Sequence, residues 1–541
     1  MNKFINIKAM LRTIKTLVVA FSVLAFFQSC ESNLDLQPED NRLVGDAAFE
    51  NPESYRQFLA KIYVGISVSG QEGPAGAPDL VGLDEGFSNY MRLYWKMQEL
   101  TTDEALIGWN DGTIQDLHAQ TWTSGNEFIR TMYSRIFYQV ALTNEFLRQT
   151  TPEKLDGRGV DGNLRAEVET YRAEVRFMRA LTYWHALDLY GNVPFVTEND
   201  PIGAFLPQQI SREDLFTYVE SELLDILDDM VAPRQNEYGR ADRAAAWMLL
   251  AKLYLNAEVY TGTPRYSEVI TYTNNVIGAG YVIPNIPYFH SFLADNDSNG
   301  AQNEVVFTIP FDGLRTQGFG GMTFLLHAPV GGSMNPAAFG INGGWFGIRT
   351  TPTFVEMFPG EENSADGRAL FYTQGQSKDI NQVGPFNQGF AITKYRNVDV
   401  NGVAGSDPTG DFPDTDFPMF RLADAYLMYA EAALRGGGGN VGTAVGYINQ
   451  LRERAYGDTS GNITSGNLTL DFIIDERARE LYWEMHRRTD LIRFGQFSDQ
   501  GIWQWKGNVP QGTTTESFRD LMPLPATDLG INTNLTQNTG Y

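Results

Sequence analysis

Cysteine is almost absent: there is one, Cys30, in 541 residues, which excludes an intramolecular disulfide and a thiolate metal cluster. Histidine is scarce too. Its five residues are scattered singly, and neither H-E-x-x-H nor G-x-S-x-G occurs, so the common zinc-protease and serine-hydrolase signatures are missing. Long apolar runs are also lacking: the best, Leu17 to Phe27, covers about 11 residues, whereas a bilayer-spanning helix needs roughly 20. Positive charge is in deficit, with 41 Lys and Arg against 66 Asp and Glu and a net charge of -25. A polyanion such as nucleic acid is therefore an unfavourable partner, and an anionic membrane surface attracts such a chain no better.

What is present begins at the N-terminus. Lys3, Lys8, Arg12 and Lys15 form a cationic start, the Leu17 to Phe27 run follows, and Gln28-Ser29-Cys30 makes a small-residue exit. This is the layout of an export signal over residues 1–29. Ala25-Phe26-Phe27-Gln28-Ser29-Cys30 resembles a bacterial lipoprotein cleavage box, with Cys30 as the residue that accepts the lipid; an ordinary secretory signal is the other reading. Cleavage removes four positive charges and no negative one, taking the net charge from -25 to -29. Residues 30–45 are polar, contain Pro38 and read as a lipidated tether, with one large unit, or two closely packed ones, over 46–541. Aromatics make up 13% of the chain. Sugar rings stack their C–H faces on such side chains, so an acidic, aromatic-rich protein suits a neutral glycan, although most aromatics in any protein are core.

Helical periodicity dominates two stretches, 126–278 and 420–497. Tyr171, Val175, Met178, Leu181, Trp184 and Leu187 recur at steps of three and four in Arg165–Tyr190, and Gly191 and Pro194 end the run. Arg240–Glu258 with Tyr266–Ile277, and Arg421–Leu434 with Val441–Tyr456, are helix pairs of tetratricopeptide size. Such pairs stack into a solenoid because none buries its apolar face alone. Residues 68–125 and 281–419 are rich in Gly, Pro and Asn, with short strand-like runs such as Val305–Ile309. The fold class is therefore mainly α: a tetratricopeptide-like helix-pair scaffold with a loop-rich, partly β region packed on it, where binding residues are expected. Gly437-Gly-Gly439-Asn-Val-Gly442 satisfies G-x-G-x-x-G but follows a helix, so it reads as a turn and not a phosphate cradle.

Four ordered motifs then carry a resemblance: Arg172-Ala-Glu-Val-Arg-Phe-Met-Arg-Ala-Leu-Thr-Tyr-Trp184 with Asp188-Leu-Tyr-Gly-Asn-Val-Pro194; Glu99-Leu-Thr-Thr-Asp-Glu104; the helix Glu476–Phe494; and Pro523-Leu-Pro with Asn534–Tyr541. They resemble the SusD/RagB family of outer-membrane nutrient-binding lipoproteins of Bacteroidetes. Gly70–Gly73, Asp84-Glu-Gly86, Phe292–Asp297, Pro413–Asp416 and Trp503–Gly507 resemble the family's starch-binding founding member. That implies a non-catalytic cell-surface protein, anchored in the outer membrane by its lipid and facing outward, that binds starch or maltooligosaccharides. Its implied partner is a SusC-like TonB-dependent transporter. Carried over by position, Arg92 matches a sugar-binding arginine, Trp109 and Trp345 match stacking tryptophans, Phe319 stands for a tyrosine, and Asn110 is the nearest asparagine. Trp345 is also favoured on its own terms, because a tryptophan among glycines has few neighbours to bury it. The resemblance further implies a structural calcium on Asp295, Asp297, Asp414 and Asp416, where the residues alone read as an Asx-rich turn or half a calcium loop. Two other functions stay open at this stage: the same role for another glycan such as the β-glucan laminarin, and a glycoside hydrolase using two of the many carboxylates.

Overall fold

The computed structural model describes residues 45–80 and 84–541, and the side chains from residue 48. Cys30, the 1–29 signal and all but the last residue of the 30–45 tether lie outside the described residues. The chain divides into two compact units, Met1–Ser54 and Tyr55–Tyr541. In the first, Gly45–Glu50 forms a short 3-10 helix. The rest of this account concerns the second.

The helices that build the scaffold are α1 (Glu53–Ser67), α2 (Tyr90–Gln98), α3 (Glu127–Gln149), α4 (Gly162–Leu189), α5 (Arg212–Ile226), α6 (Arg243–Leu255), α7 (Tyr266–Ile277), α8 (Gly321–His327), α9 (Leu422–Leu434), α10 (Val441–Tyr456), α11 (Leu470–Leu481) and α12 (Arg487–Arg493). Their starts follow from sequence: Asn126, Ser211, Asp242, Asn440 and Thr469 each accept a hydrogen bond from a first-turn N–H, the role for which such residues are favoured. Gly191, at φ +71°, follows the end of α4. Packing runs along a row, with α3 on α4, α4 on α5, α6 on α7, α7 on α9 and α9 on both α10 and α11. This is the expected solenoid of helix pairs. Between α7 and α9 the chain makes its loop-rich excursion and returns through a ladder, in which Val305–Ile309 pairs antiparallel with Phe417–Arg421. Gly437–Asn440 belongs to the turn joining α9 to α10, and Val441 and Gly442 open α10, so the G-x-G-x-x-G match follows a helix as its context required.

One expected helix is broken. Glu476–Phe494 reads as a continuous amphipathic helix, yet α11 ends at Leu481 and α12 begins at Arg487, with Trp483 at φ +62° and Met485 at φ +68° between them. The Glu99–Glu104 motif causes the break by taking over backbone groups the helix would have used. Glu104 Oε2 accepts the Trp483 N–H at 3.1 Å and Glu99 Oε1 the His486 N–H at 3.0 Å, while Asp103 accepts two bonds from Arg487 at 2.7 and 2.8 Å. Trp184 is buried on the face of α4 as its position predicts, Trp483 is buried in the break and not on a helix face, and Trp247 on α6 is only partly buried.

Around this junction lies a polar core. Arg421 reaches Glu304, Glu480 and Glu484 at 2.6–2.8 Å; Arg368 reaches Asp366, Glu476 and Glu480 at 2.7–3.1 Å; Arg454 pairs with Glu304 and Glu480. All are buried, and each guanidinium is answered by carboxylates from other segments, as buried charge requires. The arginine-rich motifs of the sequence are thus mostly internal mortar between helices.

Candidate functional site

The site is assembled from the two loop-rich stretches on the short helices α2 and α8. Asn89 caps α2 and joins three segments: its Oδ1 accepts the N–H groups of Arg92 and Gly321, both at 2.9 Å, and its Nδ2 donates to the Ser67 carbonyl at 2.9 Å. Gly320 permits this approach, since a Cβ there would sit 2.1 Å from the Asn89 Cβ. Glu85 accepts the Phe319 N–H at 2.8 Å, and Arg92 Nη1 donates to the Phe319 carbonyl at 3.0 Å. Phe319 and Arg92 are therefore fixed to one another through the backbone.

The tryptophans meet from the other side. Trp109 Nε1 donates to the Trp345 carbonyl at 2.9 Å, and the two rings lie 6.3 Å apart at 45°. Gly347 leaves room for Trp109, because a Cβ there would lie 2.4 Å from the indole Cε2 and Cζ2. Trp345 stacks on His327 at 5.0 Å and 25°, and His327 is itself held between the Gly343 and Asp411 carbonyls at 2.6 and 2.9 Å. Both carbonyls are acceptors, so His327 can donate to the two at once only when both ring nitrogens carry a proton; burial lowers its pKa, against the pull of those two hydrogen bonds.

Together these groups line a cleft of about 580 Å³, within the range of roughly 300–1,000 Å³ typical of ligand sites. Four of the five residues expected from sequence, Arg92, Trp109, Phe319 and Trp345, line it together. Asn110 is the exception: it is exposed and is not among the lining residues, although its neighbours Trp109 and Asp111 are. Ile107, in the strand next to this segment, is fully buried and offers the cleft no surface. The indoles and Phe319 are half-buried, so each presents part of its ring to solvent. Asp84, Glu85 and Asp111 add carboxylate oxygens to the lining.

Residues not singled out in the sequence include Phe87 and Asp111, which line the cleft, and Lys96, which is buried beneath it. Phe87 lies under the Arg92 guanidinium at 4.5 Å, with Phe324 at the same distance and Trp345 at 5.9 Å. One turn further along α2, the Lys96 ammonium is wholly buried, 4.0 Å from the Phe128 ring and 5.1 Å from Phe87, without a hydrogen-bond acceptor among the described residues. Burial pulls Arg92 down to about 9, against the pull of Asp84, Glu85 and Asp111. Burial, then the charge of Arg92, takes Lys96 well below an ordinary lysine. The i, i+4 spacing of two cations on α2 was a readable signal, since like charges at that spacing repel.

The expected calcium residues lie elsewhere. Asn296 ties their two segments together, donating to the Asp416 carbonyl at 2.9 Å and accepting its N–H at 3.2 Å. The carboxylates themselves face donors: Asp416 takes the Tyr238 hydroxyl at 2.6 Å and the Phe311 N–H at 2.7 Å, Asp414 the N–H groups of Gly313 and Ser406, Asp295 the Asn299 amide, and Asp297 the Ser298 hydroxyl. No group of three or more His, Cys, Asp or Glu among the described residues converges as a metal cage. Burial pushes Asp416 up to about 7, with Asp297 and Asp414 adding to it against the hydrogen bonds it accepts.

Comparison with known proteins places this architecture. A model of the SusD family matches residues 357–541. The starch-binding protein SusD of Bacteroides thetaiotaomicron is 36% identical over 95% of this chain and 96% of its own length, and the SusD-like protein P25 of Formosa agariphila is 27% identical over 97% and 99%. Among solved structures, a SusD superfamily protein of Bacteroides vulgatus aligns at a TM-score of 0.69 with 17% identity, covering 91% of this chain and 99% of that one. The surface glycan-binding protein A of Bacteroides thetaiotaomicron, in complex with laminarihexaose, aligns at 0.67 with 19% identity, covering 90% and 99%. These structural likenesses concern the fold. Because the 36% identity runs through nearly the whole of both chains and the family model matches the C-terminal third, the chain belongs to the SusD family.

Proposed function

We propose that this protein captures a neutral α-glucan, starch or maltooligosaccharide, at the cell surface and delivers it to a SusC-like TonB-dependent transporter, acting as a binder and not as an enzyme. The observation that carries the reading is the convergence of Arg92, Trp109, Phe319 and Trp345 on one cleft. Offset indoles with a phenyl ring suit the C–H faces of successive sugar rings, and the guanidinium and the carboxylates of Asp84 and Asp111 suit the hydroxyl edges. The name of the 36% identical relative favours starch. Electrophoresis through gels containing starch or laminarin tests this: retardation by starch, lost in Trp345→Ala, is the expected result. Retardation by laminarin alone would move the specificity to β-glucan. Incubation with maltoheptaose is expected to leave it intact, and shorter products above background would overturn the binding-only reading.

Lipidation at Cys30 and outer-membrane attachment are part of the same proposal. No helix among the described residues is long and apolar enough to cross a membrane. Cys30→Ala is expected to leave glycan binding of the purified protein intact while cells lose surface retention. For calcium at the Asn296 junction the support is the cost of the Asp416 charge, which comes first from burial and then from Asp297 and Asp414, and which a divalent cation would offset. A melting temperature raised by calcium and returned by a chelator is the expected outcome, and no response would exclude the ion.

A further inference from the structure

A second hollow opens on the same unit, and none of its lining residues is shared with the main cleft. It measures about 290 Å³ and is bounded by α1, by the turn Glu237–Arg240 and by the end of the Val305–Ile309 strand with Pro310 and Phe311. Two tyrosines line it. Tyr238 is 51% exposed, which for a lone surface aromatic would mean free rotation, but its hydroxyl donates to buried Asp416 at 2.6 Å. Tyr63 donates at 2.7 Å to Glu174, which is fully buried, and its hydroxyl accepts the Ala241 N–H at 3.0 Å. Each ring is thus pinned at its far end by an interior carboxylate while part of its surface stays wet.

The wall between them is equally fixed. Arg240 donates to Glu174 and, at 3.0 Å, to Glu237, whose other oxygen accepts from Arg56 at 2.8 Å. Gly239, at φ +82°, lets the turn press on Pro310, since a Cβ there would lie 2.9 Å from Pro310 Cγ. Rigid aromatic faces with an oriented carboxylate at the rim repeat in miniature the chemistry of the main cleft. Such preorganisation limits the entropy lost on binding.

We propose that this hollow is a second saccharide-binding site, which takes the end or a short stretch of a neutral glycan chain between Tyr63 and Tyr238. Its hydroxyls would be read by Glu237. For the ligand class the inference rests on the glycan reading of the main cleft. Two sites on one rigid body allow a polymer to be held at two points, which raises avidity without tightening either contact.

Saturation-transfer NMR with maltotriose, and in parallel with laminaritriose, tests it on wild type, Trp345→Ala, Ala60→Trp and the double variant, with thermal melting as the folding control. Ala60 is an exposed lining residue of the second hollow, and an indole there fills it. Trp345→Ala is expected to keep a residual signal, and the double variant to lose it; Tyr238→Ala in the Trp345→Ala background should lose it as well. A signal abolished by Trp345→Ala alone would overturn the second site and leave the main reading standing. A residual signal unaffected by Ala60→Trp would overturn its location. No signal from wild type with either sugar, together with no retardation in starch or laminarin gels, would overturn both readings.

Discussion

Buried cations occur in two places with opposite treatment. Beside α11, Arg421, Arg368 and Arg454 share Glu304, Glu476, Glu480 and Glu484. Burial would push Glu480 up, but Arg454, Arg421 and Arg368 outweigh it and hold the carboxyl at about 2. Under the cleft, Arg92 and Lys96 sit on phenyl faces without carboxylate hydrogen bonds, and burial drags both down. The first arrangement joins segments far apart in sequence, and the second leaves a guanidinium unspent beside a cavity. Paired charge marks architecture here, whereas the charge without a carboxylate partner lies at and beneath the cleft proposed to take the glycan.

Removing a partner from the paired set should have the largest effect. Glu480→Gln leaves three guanidinium groups short of charge, and a loss of about 3–5 kcal/mol is expected in urea unfolding; a loss below 1 kcal/mol would show that the core does not depend on that pairing. The cleft should respond to shape first. Gly347→Ala drives a methyl into Trp109, with an expected cost of about 1–3 kcal/mol and lost retardation in starch gels. Unchanged retardation would mean that the Trp109–Trp345 arrangement is not what binds.

The smallest effect, and the one of opposite sign, belongs to Lys96→Met. Its ammonium is disfavoured in the fold, so the unfolded chain holds a proton more readily between the lowered pKa and the ordinary lysine value of 10.5. In that window stability rises with pH. The penalty is fully present below the lowered pKa and gone above 10.5. Lys96→Met should therefore stabilise by about 1 kcal/mol at neutral pH, and the gain should vanish near pH 11. Destabilisation at neutral pH would show that the cation–π contacts with Phe128 and Phe87 outweigh desolvation.

Much of this molecule is legible where the cause is local. The helix pairs follow from apolar steps of three and four and from capping residues, and Tyr266–Ile277 and Val441–Tyr456 fall on the expected bounds. Trp345 could be singled out because its glycine neighbours offer little to bury it. The break at Trp483 could not, since it depends on Glu99 and Glu104, far back in the chain. Phe87 was overlooked for a different reason: it is close to Arg92 in sequence but lies in the turn before α2, where no helical period predicts that the guanidinium folds back across its face. Asn110 was chosen by proximity to Trp109, but adjacent residues of an extended segment point in different directions, and only its neighbours reach the cleft.

By itself the sequence determined the mainly helical scaffold, the acidic balance that turns the protein away from polyanions and the family to which it belongs. All three rest on composition, short-range periodicity or ordered motifs, which need no knowledge of how distant segments meet. Tertiary structure decided which aromatics meet at the main cleft, which arginines are mortar and which one lines that cleft, and that Tyr63 and Tyr238 enclose a second hollow. Those outcomes turn on hydrogen bonds and burial between residues tens to hundreds of positions apart, such as Trp109 with Trp345 and Tyr238 with Asp416.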